Sequence, residues 1–218
     1  MKTNSKFEEK GLINELIRRF KVILRLTVFG DTIDQTIFTQ YNQAIQEVDD
    51  KFDLPINIVP NSKNLRFLQE YVTDNIEQAG DQIGEDLRQE IQRGILNDDS
   101  RTDLVKRVKK LFKDKKYQTR LKTILRTETL RANNKGTLDG AHQAENAGVK
   151  LKKWLDVVLD SRTSDICMAE HRKYGAPDLA IPLDQEFVVK VANKTYKSQA
   201  PPFHVNCRTV IRLEVQKW

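Results

Sequence analysis

The sequence of 218 residues contains few of the residues that define specialised classes of protein. Two cysteines are too few for a disulfide scaffold, so we expect an intracellular protein or one released by lysis. Nine glycines and six prolines exclude a collagen-like or low-complexity chain. No apolar run approaches the roughly 20 residues that a membrane helix needs. A globular chain remains, long enough for one large domain or two small ones.

Charged residues are abundant and unevenly distributed. Residues 1–100 carry 12 basic and 18 acidic side chains, whereas residues 101–126 carry 11 basic and 2 acidic ones. Such a basic segment is typical of contact with nucleic acid or another polyanion, although a solvated helix face is the commoner role of a charge run. The candidate nucleic-acid-binding residues are Lys106, Arg107, Lys109, Lys110, Lys113, Lys115 and Lys116.

Apolar residues recur at helical spacing through the first two thirds of the chain. The pattern predicts helices over residues 6–28, 31–48 and 65–91, then the basic helix, then a long helix from about Tyr117 to Ala147. Gly148 is suited to the position after the end of that last helix, because glycine adopts the left-handed backbone conformation without strain.

The last third changes to short segments rich in Val, Ile and aromatic residues, which predict strands. These segments are WLDVVLD, EFVVKV, KTYKS and CRTVIRLEV, and VANKT predicts a hairpin connection between the second and the third. Helices followed by strands indicate an α+β fold. We expect a helical region at residues 1–100, and at residues 101–218 a module whose long helix packs on a small antiparallel sheet.

Four of the five Cys and His residues fall in two close pairs. Cys167 and His171 are four residues apart, after an SRTSD segment that predicts a helix N-terminus, so both side chains would project from one helical face. His204 and Cys207 are three residues apart after a double proline, which favours a tight turn. Zinc takes such ligands, and structural sites use four of them. The pattern predicts a structural zinc site formed by Cys167, His171, His204 and Cys207.

Two other arrangements compete with this zinc site. The cysteines can be buried apolar residues with the histidines on the surface, or they can form a disulfide, which a reducing cytoplasm disfavours. Four protein ligands would fill a tetrahedral zinc ion and leave no position for a catalytic water, so we expect a non-enzymatic protein. If only three residues bind, a position opens, and a zinc-dependent nuclease or other hydrolase acting on DNA becomes the alternative.

The C-terminal half also contains an ordered set of short motifs. They are Arg126-Thr127-Glu128, Arg131-Ala132, Asn134-x-Gly136, Ala147-Gly148, Lys153-Trp154, Asp160-x-Arg162-Thr163, Cys167, Phe187 and Pro201-Pro202-x-His204-x-Asn206-Cys207-Arg208. In this order they resemble the phage head morphogenesis family, the minor capsid proteins similar to phage Mu protein F. The resemblance spans roughly residues 100–213. His171 has no counterpart in the family's pattern.

The resemblance implies a low-copy protein of a tailed-phage or prophage head, located in the virion head and, during assembly, in the host cytoplasm. Its implied partners are the portal protein, packaged double-stranded DNA bound without sequence specificity, and a major capsid or scaffold protein, with no membrane involved. The implied roles are head assembly, genome packaging or ejection, with residues 1–100 assigned to portal or scaffold contact. A DNA-binding module unrelated to virus particles is a further alternative.

Charged residues within these motifs predict a polar network that fixes the long helix against the sheet. Its members are Arg126, Glu128, Arg131, Asp160, Arg162 and Arg208. Glu128 and Arg131 are three residues apart and can pair on one helix face, and Arg126 is placed to reach Asp160. An active site built from Arg126, Glu128 and Asp160 is the alternative. We favour the structural interpretation, since structural ion pairs commonly imitate catalytic clusters.

Overall fold

The structure, a computed structural model, describes most of the chain after its first 29 residues. The described residues are 30–52, 58–97, 99–100, 103, 106–107, 110 and 115–216. The predicted helix at residues 6–28 lies outside them, as do Lys109 and Lys113. The chain divides into two compact units, Met1–Asp34 with Tyr71–Ile124 and Gln35–Glu70 with Leu125–Trp218. The predicted division into residues 1–100 and 101–218 stays a prediction.

Four α-helices are described from end to end, and they begin and end close to the sequence signals. They are α1 (Gly30–Phe52), α2 (Ser62–Leu96), α3 (Lys115–Asn146) and α4 (Asp165–Tyr174). After α3, Gly148 has a φ of 99°, which confirms the predicted helix end. Ser164 caps α4 by accepting a hydrogen bond from the backbone N–H of Cys167, as the SRTSD segment predicts. Within the described ranges, no helix is both long and apolar enough to span a membrane.

Two small antiparallel sheets follow the long helix. The strands are β1 (Leu151–Asp156), β2 (Ile181–Pro182), β3 (Phe187–Val191), β4 (Lys194–Ser198) and β5 (Val210–Val215), in the orders β2-β1-β5 and β3-β4. The α+β fold and the VANKT hairpin are confirmed. The single predicted sheet is instead two. Strand β2 was missed because two residues are too short to show an alternating pattern.

The second unit has one hydrophobic core, to which α1, α3, α4 and the strands of both sheets contribute. Its buried residues include Val48 of α1, Leu138 of α3, Tyr174 of α4, Phe187 of β3 and Ile211 of β5. The rings of Tyr174 and Phe187 meet edge to face, with centroids 5.0 Å apart. Helix α1 therefore packs in the same core as strands that follow it by about a hundred residues.

Helices α1 and α3 approach closely because two glycines of α3 face α1. A Cβ atom at Gly136 would lie 2.4 Å from the carbonyl oxygen of Tyr41 and 3.0 Å from the Cβ of Ala44. A Cβ at Gly140 would lie 3.1 Å from the nearest side-chain atom of Val48. Position 136 therefore has no room for a side chain.

A buried polar cluster joins the same helices to the start of α2. The Tyr41 hydroxyl donates a hydrogen bond of 2.6 Å to Asp139, and the Asn64 amide donates to both Asp139 oxygens at 2.9 and 2.8 Å. The Lys135 ammonium lies 3.1 Å from the same carboxylate. Burial and the neighbouring Asp139 carboxylate raise the pKa of Tyr41, so its hydroxyl remains a neutral donor.

Gly136→Ala should destabilise the protein, although alanine normally stabilises a helix interior by roughly 0.5–1 kcal/mol relative to glycine. The new methyl group would overlap the backbone carbonyl of Tyr41, which cannot rotate away. We expect a net loss of about 1–3 kcal/mol in the free energy of unfolding, measured by urea denaturation followed by circular dichroism.

Gly140→Ala is the matched control for this change. Its methyl group would meet only side-chain atoms of Val48, which can shift, so it should cost less than Gly136→Ala. If Gly136→Ala left the free energy of unfolding unchanged or higher, the close approach of α1 and α3 would be wrong.

Candidate metal centre

Three of the four predicted metal ligands lie together in the second unit. The donor atoms of Cys167, His204 and Cys207 all lie within 4.8 Å of one another. The Sγ atom of Cys167 is 3.0 Å from Nε2 of His204. Around a tetrahedral zinc ion, the usual bond lengths place a sulfur and a nitrogen ligand about 3.6 Å apart. The three donors therefore have a spacing close to that of a metal-ligand set.

The sequence signals around these residues explain their positions. Cys167 lies in the first turn of α4, directly after the Ser164 cap. Before β5, the chain turns through a cis peptide bond between Pro201 and Pro202. A backbone hydrogen bond of 3.2 Å from Cys207 N–H to the His204 carbonyl closes the following turn, which confirms the turn expected after the double proline. The helix and the turn bring the two pairs of the sequence into contact.

His171 is not part of the cluster. Its ring lies against Gly175 at the end of α4, where an added Cβ would be 2.4 Å from His171 Nδ1. In a helix, the residues three and four positions after Cys167, Glu170 and His171, project on either side of it. The buried side is the one that carries Glu170, which contacts Thr209 just before β5. The residue next to the cluster on α4 is therefore Glu170, and the placement of His171 in the ligand set is not supported.

Glu170 is the residue beside the cluster that the predicted ligand set does not contain. Its side chain is fully buried, and the Thr209 hydroxyl donates a hydrogen bond of 3.1 Å to its Oε2 atom. Its Oε1 atom is buried and has no hydrogen-bond partner among the described residues. Burial raises the pKa of Glu170 to about 8. Its spacing of three residues from Cys167 on a helix was the available signal.

The Cys167 sulfur is the electrostatic centre of the cluster. Hydrogen bonds from the Cys207 thiol, His204 and Ser164 lower the pKa of Cys167, which favours the thiolate form of its sulfur. Its position at the start of α4 also favours negative charge. The contact with Cys167 raises the pKa of His204 and that of Cys207. Thiolate sulfur is the form that binds soft metal ions.

The orientation of His204 is fixed by its other ring nitrogen. The Nδ1 atom lies 2.7 Å from the backbone carbonyl of Val205, an acceptor, so Nδ1 carries the hydrogen. This leaves Nε2 directed at Cys167 and at the Ser164 hydroxyl, 2.9 Å away. Metal-binding histidines are commonly held in this way by a backbone carbonyl.

The space beside the cluster is small. A cavity of about 10 Å³ is lined by residues that include Cys167, His204 and Thr209. This volume admits about one water-sized sphere. The Cys167 side chain is also buried. The cavity itself therefore has room for about one ion or one water molecule.

The predicted polar network falls into two groups of contacts. Glu128 and Arg131 pair on α3 at 2.8 Å, as predicted. Beside the cluster, Arg208 donates two hydrogen bonds of 2.7 and 2.6 Å to Asp160, and the backbone N–H of Arg162 adds a third of 2.8 Å. Arg126 is exposed, and within the part of the chain that the structure describes no ion pair joins it to Asp160.

Comparison with known proteins gives one match. The model of a family described as phage Mu protein F like protein matches residues 81–212, more than half of the chain. Comparison with curated proteins and with solved structures finds no significant match. The match confirms the resemblance of the ordered motifs to the phage head morphogenesis family.

Asp160→Asn should lower the stability of the protein at neutral pH. The two hydrogen bonds from Arg208 hold the pKa of Asp160 well below its usual range. A carboxyl group with a lowered pKa in the folded state stabilises the fold above its usual pKa, and this stabilisation is lost as the pH falls. The difference in thermal midpoint between the wild type and Asp160→Asn should therefore be largest near pH 7 and shrink below about pH 4.

Asp156→Asn provides the control. Asp156 pairs with Arg212 at 2.9 Å, but both side chains are about half exposed, and exposed pairs contribute little. Equal effects of the two substitutions at pH 7 would contradict a structural role specific to Asp160 and Arg208.

Proposed function

The chain belongs to the phage Mu protein F-like family, and we propose that it is a low-copy, non-enzymatic structural protein of a phage head. The family match over residues 81–212 carries the proposal, because this is a phage head morphogenesis family. In the proposed role the protein associates with the portal protein and with packaged double-stranded DNA in head assembly, genome packaging or ejection. A major capsid or scaffold protein is a further candidate partner. Its proposed locations are the virion head and, during assembly, the host cytoplasm.

Features of the candidate site support a structural role over a catalytic one. The cavity beside Cys167 is too small to enclose a nucleotide. The Asp160 carboxylate is engaged by Arg208 and Arg162 and so is poorly suited to act as a general base. The exposed Arg126 does not pair with Asp160, which weakens the proposed three-residue active site.

The basic segment supports contact with DNA, and its described residues differ in their surroundings. Arg107 is half-buried and pairs with Asp99 and, at 3.6 Å, with Glu90. Lys106 pairs with Asp103 at 2.9 Å. Lys110 is exposed. Because phosphate binding requires cations that carboxylates do not already neutralise, we assign Lys110 a larger share of the DNA contact than Arg107.

We expect the purified chain to bind random-sequence duplex DNA with an affinity that falls steeply with salt. Lys110→Gln should reduce the slope of log affinity against log salt concentration by about 1, because one phosphate contact is removed. Arg107→Gln should change this slope less and lower the thermal midpoint instead, because it removes the contacts to Asp99 and Glu90. Fluorescence anisotropy at several salt concentrations measures the slopes. Salt-independent binding would contradict a phosphate contact.

The direct test of the head assignment is the composition of virus particles. Heads and procapsids from producing cells are treated with DNase, separated on a gradient and analysed by quantitative mass spectrometry. We expect a few copies of this chain for each portal ring and far fewer than of the major capsid protein. Absence from both particles would overturn the structural role.

A zinc-dependent nuclease remains the second candidate, and one observation favours it. Cys167, His204 and Cys207 together supply three ligands, and a zinc site with three protein ligands keeps a position for water. DNA cleavage that is lost on chelation and restored by zinc, together with absence from heads, would favour this alternative. Absence from heads with salt-sensitive DNA binding and no cleavage would favour a DNA-binding module unrelated to particles.

A further inference from the structure

We propose that Cys167, His204 and Cys207 bind a structural zinc ion, and that Glu170, which lies beside this group but outside its 4.8 Å spacing, supplies the fourth ligand in place of His171. Two ligands come from α4, and two come from the turn before β5. The proposal concerns the folding of the second unit and is independent of the proposed role in a phage head.

The first argument is the chemistry and orientation of the three clustered donors. Two sulfur atoms and one imidazole nitrogen are ligands that zinc prefers, and all three converge at one place where both cysteines are buried. The Nε2 atom of His204 is directed at this place because Nδ1 is held by the Val205 carbonyl. Both cysteine side chains are buried and are not joined in a disulfide.

The second argument is the unpartnered carboxylate of Glu170. Its Oε1 atom is buried without a hydrogen-bond partner, and leaving a buried carboxylate oxygen unpaired is costly. The Thr209 hydroxyl that donates to its Oε2 atom also lies 3.6 Å from Cys167 Sγ, so the carboxyl group lies at the edge of the cluster. The nearby cation Arg208 is already engaged by Asp160. A bound metal ion would give this oxygen the partner that it lacks.

The third argument is the balance of charge around the ion. Two thiolates, one carboxylate and one neutral imidazole exceed the charge of a zinc ion by one negative charge. The Arg208 guanidinium pairs with Asp160 and also interacts electrostatically with both Cys167 and Cys207, which lessens this excess. The Thr209 hydroxyl donates to Glu170 Oε2 and lies 3.6 Å from Cys167 Sγ, so it orients two of the ligands.

Such an ion would connect α4 to a segment that no strand pairing holds. Because four protein ligands fill the tetrahedron, the site would be closed to substrate water and would act on stability. Zinc should raise the thermal midpoint of the metal-free protein, since a ligand that binds only the folded state stabilises it.

The test uses the full chain, with zinc and cobalt(II) as probes. We expect one zinc ion per chain in the purified protein, measured by release to a chromophoric chelator. Cobalt(II) in its place should show the charge-transfer absorption of thiolate ligation, a readout on the wild-type chain that does not depend on any variant folding. Absence of stoichiometric zinc together with absence of this absorption would overturn the proposal.

The role of Glu170 is tested with a pair of neighbouring substitutions. Glu170→Gln conserves the size of the side chain and should weaken zinc binding at least about tenfold in competition with a chelator. His171→Gln is the matched control, one position further along α4, and should leave the affinity unchanged. Cys207→Ser should abolish the zinc-dependent rise in thermal midpoint. Wild-type affinity in Glu170→Gln, or loss of affinity in His171→Gln, would contradict the ligand set.

Discussion

The arrangement of the second unit depends on the hydrogen bonds that fix one irregular segment in place. Residues 199–209 connect β4 to β5, carry His204 and Cys207, and pair with no strand in the described part of the chain. Their backbone polar groups must therefore be satisfied by turn hydrogen bonds, by water or by side chains from elsewhere. The buried amide of Asn134 donates to the carbonyls of Pro201 and Thr209, and its oxygen accepts from the N–H of Ile211. One side chain of α3 thus fixes both ends of the turn that presents the histidine and the cysteine.

Lys153 of β1 binds the start of the same segment, at Gln199. To do so it occupies a fully buried position in the core. The ammonium donates to the backbone and side-chain oxygens of Gln199 at 2.9 and 2.7 Å and lies 5.0 Å from the centre of the Phe187 ring. Burial lowers the pKa of Lys153 to about 8, which reflects the cost of removing a cation from water. Within the described residues it forms no ion pair. Hydrogen bonds to the segment and the Phe187 ring offset that cost at a position where the strand pattern would favour an apolar residue.

Sequence reasoning succeeded where a feature is local. The long apolar repeats of α2, the Ser164 cap and the hairpin before β4 depend on residues close together in the chain, and all are confirmed. Sequence reasoning failed to choose between the two sides of α4. Residues three and four positions after Cys167 both satisfy the helical spacing, and only the contact with Thr209 shows that Glu170 lies on the buried side. The place of α1 in the core was equally beyond a local pattern, since it depends on partners about a hundred residues away.

The contacts of α3 give the family motifs a structural meaning. Asn134 holds the segment before β5, Gly136 admits the backbone of α1, and Asp139 binds Tyr41 and Asn64. These positions lie within two turns of one helix, so a short stretch of sequence fixes three separate parts of the unit. None of these interactions requires a substrate. A match that includes Asn134-x-Gly136 therefore indicates a shared architecture. This architecture positions the cluster around Cys167 and His204, where the reactive side chains of the unit are concentrated.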